Sequence, residues 1–142
     1  MEKPTTAQRT RIRYTILAAV FVNVVINYMD RTNISVAATM ITSDLHLSSV
    51  HLGLIFSAFG WTYAALQIPG GIFADRFSLR ILYSICIIGW SAATVLQGFA
   101  TGFATLFVLR LAVGVFEAPS FPMNNRIATS WFPDKERASA IG

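Results

Sequence analysis

Long apolar stretches alternate with short polar ones along this chain. Thr15 to Met29 carries no charge, Asp30 and Arg31 interrupt the run, and Thr32 to Ser43 is again uncharged. The polar loop Ser43 to His51 precedes Leu52 to Ala74, which is uncharged and long enough to cross a bilayer with some tilt. After the charged turn Asp75-Arg76-Phe77-Ser78-Leu79-Arg80 comes Ile81 to Leu109, uncharged throughout. At about 20 residues per crossing, that run is too long for one span and too short for two. Gly98-Phe99-Ala100-Thr101-Gly102 divides it. A Gly-x-x-x-Gly pattern can be a helix dimerisation face, but here it lies where a spanning helix should end, and it reads as a turn. The pattern therefore predicts an all-α membrane protein with four transmembrane helices at about 14–40, 52–74, 81–99 and 104–130. A fifth helix is expected to start at 138–142.

Within these helices the polar residues fall on faces. At about 100° per residue, Asn23, Asn27, Asp30 and Arg31 lie within roughly one quadrant of helix one, with Ser35 just beside it, which marks the inward face of a lipid-exposed helix. Arg110, Gly114, Glu117, Phe121 and Asn124 recur at steps of four, three, four and three, one face of helix four. Arg110 and Glu117 are two turns apart, roughly 10.5 Å along the axis, so each is expected to seek a partner on another helix. Pro119 and Pro122 should kink helix four and free backbone carbonyls near that face. In helix two, Gly53, Ser57 and Gly60 are expected to permit close helix packing. Tyr63 and Gln67, one turn apart, share a face; interhelical hydrogen bonding and ligand contact both fit that spacing.

Composition agrees with the pattern: of 142 residues, 54% are hydrophobic and only 13% charged, against about 25% charged in a soluble domain. The net charge of +4 could suggest nucleic acid, but the placement of the basic residues gives it another meaning. Lys3, Arg9, Arg11 and Arg13 precede helix one, Arg76 and Arg80 follow helix two, and Arg126, Lys135 and Arg137 close helix four. With Arg31 and Arg110 inside spans, these account for all 11 Lys and Arg. None falls in the two opposite loops, so the positive-inside rule expects a cytoplasmic N-terminus in the cell (inner) membrane. A basic flank before an apolar run also describes a signal peptide, and Ser35-Val36-Ala37 has small-x-small form. Asp30 and Arg31 inside the segment, and three further apolar stretches, speak against cleavage. Cys86 has no possible disulfide partner in the chain and reads as a buried structural thiol, and His46 and His51 read as passive loop residues.

Four charges lie deep in the spans: Asp30, Arg31, Arg110 and Glu117. Each costs roughly 2.5–3.5 kcal/mol at the bilayer centre, so such residues are expected to face a protein interior or an aqueous cavity and to mark a functional site. They could be purely structural ion pairs, although apolar residues would pack at least as well, because desolvation commonly cancels the Coulomb gain. They could also divide the labour. A guanidinium presents a permanently charged planar fork to a carboxylate, which suits Arg31 to an organic anion. A carboxylate in such a place can load and release a proton as its surroundings change, which suits Asp30 and Glu117. Coupling is then electrostatic, since protonating an acid frees an arginine for the anion.

Gly71-x-x-x-Asp75-Arg76-x-x-x-Arg80 resembles the signature loop between the second and third spans of the major facilitator superfamily. Tyr28-x-Asp30-Arg31, Gln67-Ile68-Pro69-Gly70-Gly71, Arg110 with Glu117-Ala118-Pro119, and Trp131-Phe132-Pro133 followed by Glu136-Arg137-Ala138 are similar to the anion:cation symporter family, and to its bacterial sugar-acid members above all. The resemblance implies proton-coupled symport, with Arg31, Tyr28, Tyr63, Asn27 and Gln67 contacting the substrate. It makes Asp30 and Glu117 the proton-coupling acids and has Arg110 tune Glu117. Gly71, Asp75, Arg76 and Arg80 would form a cytoplasmic latch for the outward-facing state. It implies no cofactor. The expected partners are a small organic anion, protons, the lipid bilayer and a second helical bundle. The four helices would then be part of a six-helix N-terminal bundle, with the site between bundles at the midplane. An exchanger or uniporter of the same fold remains open, as does a four-helix membrane scaffold without transport. An enzyme is not expected, since neither histidine lies in a span at metal-ligand spacing and no serine or cysteine has a base beside it.

Overall fold

The computed structural model describes residues 6–141, which form seven helical segments: α1 (Thr6–Val36), α2 (Ala38–Asp44), α3 (Ser49–Arg76), α4 (Leu79–Gln97), α5 (Phe103–Glu117), α6 (Ser120–Trp131) and α7 (Asp134–Ile141). Lys3, part of the charge count above, and Gly142 lie outside the described residues. Four stretches are long and apolar enough to cross a membrane, at Arg11–Val36, Ser49–Arg76, Leu79–Gln97 and Phe103–Trp131. The first helix starts well before Tyr14, because no glycine or proline falls between Thr6 and Arg13. Its far end bends at Ala37, but the hydrogen-bond ladder runs on: Ala37 N–H donates to Asn33 O at 3.0 Å and Ile41 N–H to Ala37 O at 2.9 Å. Ser48 caps α3 by accepting from the His51 amide at 3.2 Å. Gly98 to Ala100 close the end of α4 as the expected turn, with Gly98 N–H donating to Val95 O at 3.1 Å.

The fourth span is two helices rather than one kinked helix. Pro119 and Pro122 lack the N–H groups that would bond the carbonyls of Val115 and Ala118. The ladder therefore stops at Ala118 N–H to Gly114 O, 3.0 Å, and restarts at Met123 N–H to Pro119 O, 3.1 Å. The break rotates the expected face: Arg110, Gly114, Glu117 and Asn124 are buried, whereas Phe121 is 54% exposed.

α5 packs against both α3 and α4, and α6 touches α1, α3 and α4. The small residues that allow this are not the ones expected. Gly53 and Gly60 have no neighbour within 4 Å of where a Cβ would stand, and Ser57 is exposed, so that stripe faces away from the other helices. Close approach occurs at Gly114, where a Cβ would overlap Thr62 Oγ1 and stand 2.7 Å from Phe59 O. It recurs at Gly70, 3.0 Å from Pro119 Cα and Cγ, and at Gly89, where a Cβ would run into the ring of Phe116. Where α3 meets α5, the Thr62 hydroxyl donates to Leu111 O at 3.1 Å. Apolar clusters fill the two ends: Ile34, Leu47, Ile55 and Leu106 at one, Ala74, Cys86 and Met123 at the other. Outside, Phe21, Val25, Ile85, Ile88 and Val108 are exposed, an apolar exterior suited to lipid.

The charged turn of α3–α4, the start of α1 and α7 share one end. Arg13 Nη1 meets Glu136 Oε2 at 3.0 Å, and Arg126 Nη1 meets Asp75 Oδ1 at 3.8 Å. At the opposite end, His51 stacks on Phe103 with ring centroids 4.5 Å apart.

Candidate functional site

The adjacent Asp30 and Arg31 are 100° apart on α1, and the structure sends them to different helices. Asp30 Oδ2 accepts from Thr94 Oγ1 of α4 at 2.7 Å. Arg31 Nε donates to Glu117 Oε1 of α5 at 3.3 Å. The two sides of that pair differ in access: the Glu117 side chain is 1% exposed and that of Arg31 29%. A buried acid thus backs a cation that solute can reach. Three rings surround the guanidinium, with Arg31 Cζ 4.5 Å from the centroid of Tyr63, 5.0 Å from Phe59 and 5.4 Å from Tyr28. All are inside the roughly 6 Å at which a ring face attracts a cation.

Arg110 is only 4% exposed, and its Nε has no hydrogen-bond partner among the described residues. Its Cζ stands 5.1 Å from the Phe59 centroid, so one ring serves both arginines. Of the two partnerships expected for helix four, Glu117 makes an ion pair with another helix, while Arg110 meets a ring.

Two cavities flank these residues. The larger, about 480 Å³, contains Asp30, Asn33, Thr94, Gln97 and Arg110 in its wall and reaches the ends of α2 and α4 at Asp44 and Gly98. The smaller, about 40 Å³, is bounded by Asn27, Tyr28, Arg31, Tyr63, Glu117, Ser120 and Asn124, among others. Four of the five residues expected to touch substrate, Arg31, Tyr28, Tyr63 and Asn27, therefore converge with Glu117. Gln67, although it shares a face with Tyr63, lines neither cavity. Asp30 and Arg110 converge separately.

Polar groups continue from the small cavity toward the charged end. Tyr83 OH donates to Asn124 Oδ1 at 2.8 Å, and Asn27 Nδ2 donates to Asn23 O at 2.8 Å. Ser35, expected beside this stripe, is exposed and donates to Thr32 O of its own helix at 2.8 Å. In the charged turn, Asp75 takes Arg126 of α6 as its partner, while Arg76 and Arg80 are exposed. Gly71 stands beside Pro122, where a Cβ would lie at an ordinary 3.7 Å; Gly70 is the closer approach.

Sequence reasoning missed Phe59, Thr94, Tyr83 and Thr62. Phe59 carried a signal, since it lies one turn before Tyr63 and hence on the same face, and the two rings stack at 5.4 Å. Thr94 carried none, because a lone threonine in an apolar helix usually bonds its own backbone.

The chain matches the model of the Major Facilitator Superfamily over residues 20–142. It is 50% identical to a D-galactonate transporter of Escherichia coli O6:H1, an alignment covering 100% of this chain and 33% of that protein. It is 49% identical to a probable galactarate/D-glucarate transporter of Pseudomonas putida, covering 99% of this chain and 31% of that one. The chain thus spans about a third of the length of these relatives. Among solved structures, a bacterial homologue of the human lysosomal transporter Spinster, inward-facing and unoccupied, superposes with a TM-score of 0.87 at 37% identity, covering 92% of this chain and 27% of that one. With four apolar helices wrapped around a charged interior and a family match over most of its length, this chain is a multi-pass membrane protein and belongs to the Major Facilitator Superfamily.

Proposed function

We propose that this chain forms part of a secondary active transporter that carries a sugar acid, or a related small organic anion, together with protons across the cell (inner) membrane. The observation that carries the reading is the Arg31–Glu117 pair: a reachable guanidinium inside a span, caged by rings and backed by a fully buried carboxylate. The names of the relatives, transporters of galactonate and of galactarate or glucarate, support the substrate class.

Arg31 is the group that binds the substrate carboxylate, with Tyr28, Tyr63 and Asn27, which line the same cavity, available to the hydroxyls of the substrate; Gln67 lies outside that cavity. While Glu117 is ionised it competes for the same fork. Once Glu117 takes a proton, Arg31 is released to the incoming anion, so that proton and anion load together. Asp30 is the second coupling acid, and Arg110 sets the field at both carboxylates. Gly71, Asp75, Arg76 and Arg80 form the latch at the cytoplasmic end, working against a second bundle supplied by the rest of the polypeptide. The N-terminus is cytoplasmic.

The test is uptake by the full-length protein in vesicles, offered galactonate, glucuronate and glucarate with and without an inward proton gradient. Accumulation of one of these anions that collapses when the gradient is dissipated supports the reading. Accumulation that persists without a gradient overturns the coupling, and failure to move any sugar acid overturns the substrate class.

A further inference from the structure

Phe59 of α3 occupies a position that the ion pairs do not explain. Its ring lies 5.0 Å from Arg31 Cζ and 5.1 Å from Arg110 Cζ, so two like charges that repel one another share a single aromatic surface. The ring is itself held. It stacks on Tyr63 at 5.4 Å with planes 24° apart. The absence of a side chain at Gly114 lets α5 close against the Phe59 backbone carbonyl. Arg31 has two other rings and Glu117. Arg110 has no ion pair among the described residues, and its Nε is unpartnered. Phe59 is the aromatic contact that Arg110 makes.

Away from water, a guanidinium over a ring face gains more than it does at an exposed site, and the attraction comes from the electron density of the ring rather than from its bulk. Arginine also has several rotatable bonds to fix before its fork can meet a carboxylate. We propose that Phe59 is a positioning residue that fixes both guanidiniums, aiming Arg31 at the substrate carboxylate and holding Arg110 on the Asp30 side. This deepens the transport reading and rests on it. A ring shared in this way also links the two guanidiniums mechanically: an arginine that moves changes the surface the other leans on.

The experiment replaces Phe59 in the full-length protein with 4-fluoro-, 3,5-difluoro- and 3,4,5-trifluorophenylalanine. These substitutions nearly preserve shape while draining the ring face of electron density. D-galactonate affinity is expected to fall stepwise with fluorine number, by about tenfold in total, which is about 1.4 kcal/mol. Phe59→Tyr should bind nearly as the parent does, and Phe59→Leu worst of all. Equal affinity across the series overturns the proposal, because a ring that only fills space would not notice the fluorines. A second readout needs no substrate: the Nε–H resonances of Arg31 and Arg110 in ¹⁵N-arginine-labelled protein should both move in Phe59→Leu, as ring-current shielding is lost. If the parent protein binds no sugar acid, the transport reading falls while these resonances still judge the platform. If either resonance stays in place, the shared ring is overturned.

Discussion

Arg31 and Glu117 show what a charge inside a membrane requires. The carboxylate is shut away from solvent and the arginine beside it is not, so under the proposed reading an arriving anion meets the cation first and competes with the acid for it. The fork and the three rings suit a flat, delocalised cation; an ammonium is a compact point charge that cannot present two parallel donors. Arg31→Lys is therefore expected to weaken galactonate binding at least about tenfold, measured by calorimetry on the full-length protein, even though the charge is retained. Glu117→Gln removes the ionisable group and leaves the shape. It should abolish accumulation driven by a proton gradient while leaving binding measurable; a variant that still accumulates would end the proton role assigned to Glu117. That Glu117 would look to another helix could be read from spacing alone. Two charges two turns apart on helix four cannot satisfy each other, and a polar quadrant on helix one offers the partner. What spacing could not show is the division of neighbours, Asp30 to Thr94 and Arg31 to Glu117, because that depends on how α4 and α5 are set around α1.

Helix packing shows where sequence reasoning stops. Periodicity identifies apolar helices but is blind to which face meets another helix when every face is apolar, since lipid and protein ask for the same residues. Gly53 and Gly60 resemble packing residues and turn out to face away, whereas Gly114, embedded in the charged face of α5, is the point of closest approach. The contrast is testable. Gly114→Ala would place a methyl 2.7 Å from Phe59 O and against Thr62, pushing α5 from α3; the cost of such overpacking is typically about 1–3 kcal/mol. Thermal unfolding in detergent should fall accordingly, with galactonate affinity falling too, since Phe59 moves with that contact. Gly53→Ala meets nothing within 4 Å and gains helix propensity, so its melting should be unchanged or slightly higher. The reverse order would show that α3 and α5 do not pack through Gly114. The prolines of helix four were legible as a disturbance. That they split the span into α5 and α6, turning Phe121 outward, follows from the interruption of the ladder between Ala118 and Met123, where two donors three residues apart are missing, which a kinked-helix picture does not anticipate.

Across the whole molecule, the unequal distribution of charge sets direction. At one end Arg13 with Glu136 ties α1 to α7 and Arg126 with Asp75 ties the fourth span to the α3–α4 turn, while the loops at the other end carry no lysine or arginine. Basic residues near span ends are retained on the cytoplasmic side, so that end should face the cytoplasm. Cys86 is the chain's single cysteine and is buried, which permits a clean labelling test. In a cysteine-free background of the full-length protein that includes Cys86→Ala, Ser78→Cys sits in the exposed α3–α4 turn, and Ser49→Cys and Thr101→Cys are exposed at the opposite end. A membrane-impermeant maleimide added to intact cells should label positions 49 and 101 and spare 78, which should react only after the membrane is opened. Labelling of 78 in intact cells would invert the orientation. The latch can be probed in the same preparation. Asp75→Asn breaks the pair with Arg126 at 3.8 Å, an exposed contact whose direct contribution to folding is within about 1 kcal/mol, so the protein should still fold. If the turn instead works by holding one conformation, the labelling rate of Tyr28→Cys, which lines the smaller cavity, should change severalfold while melting does not.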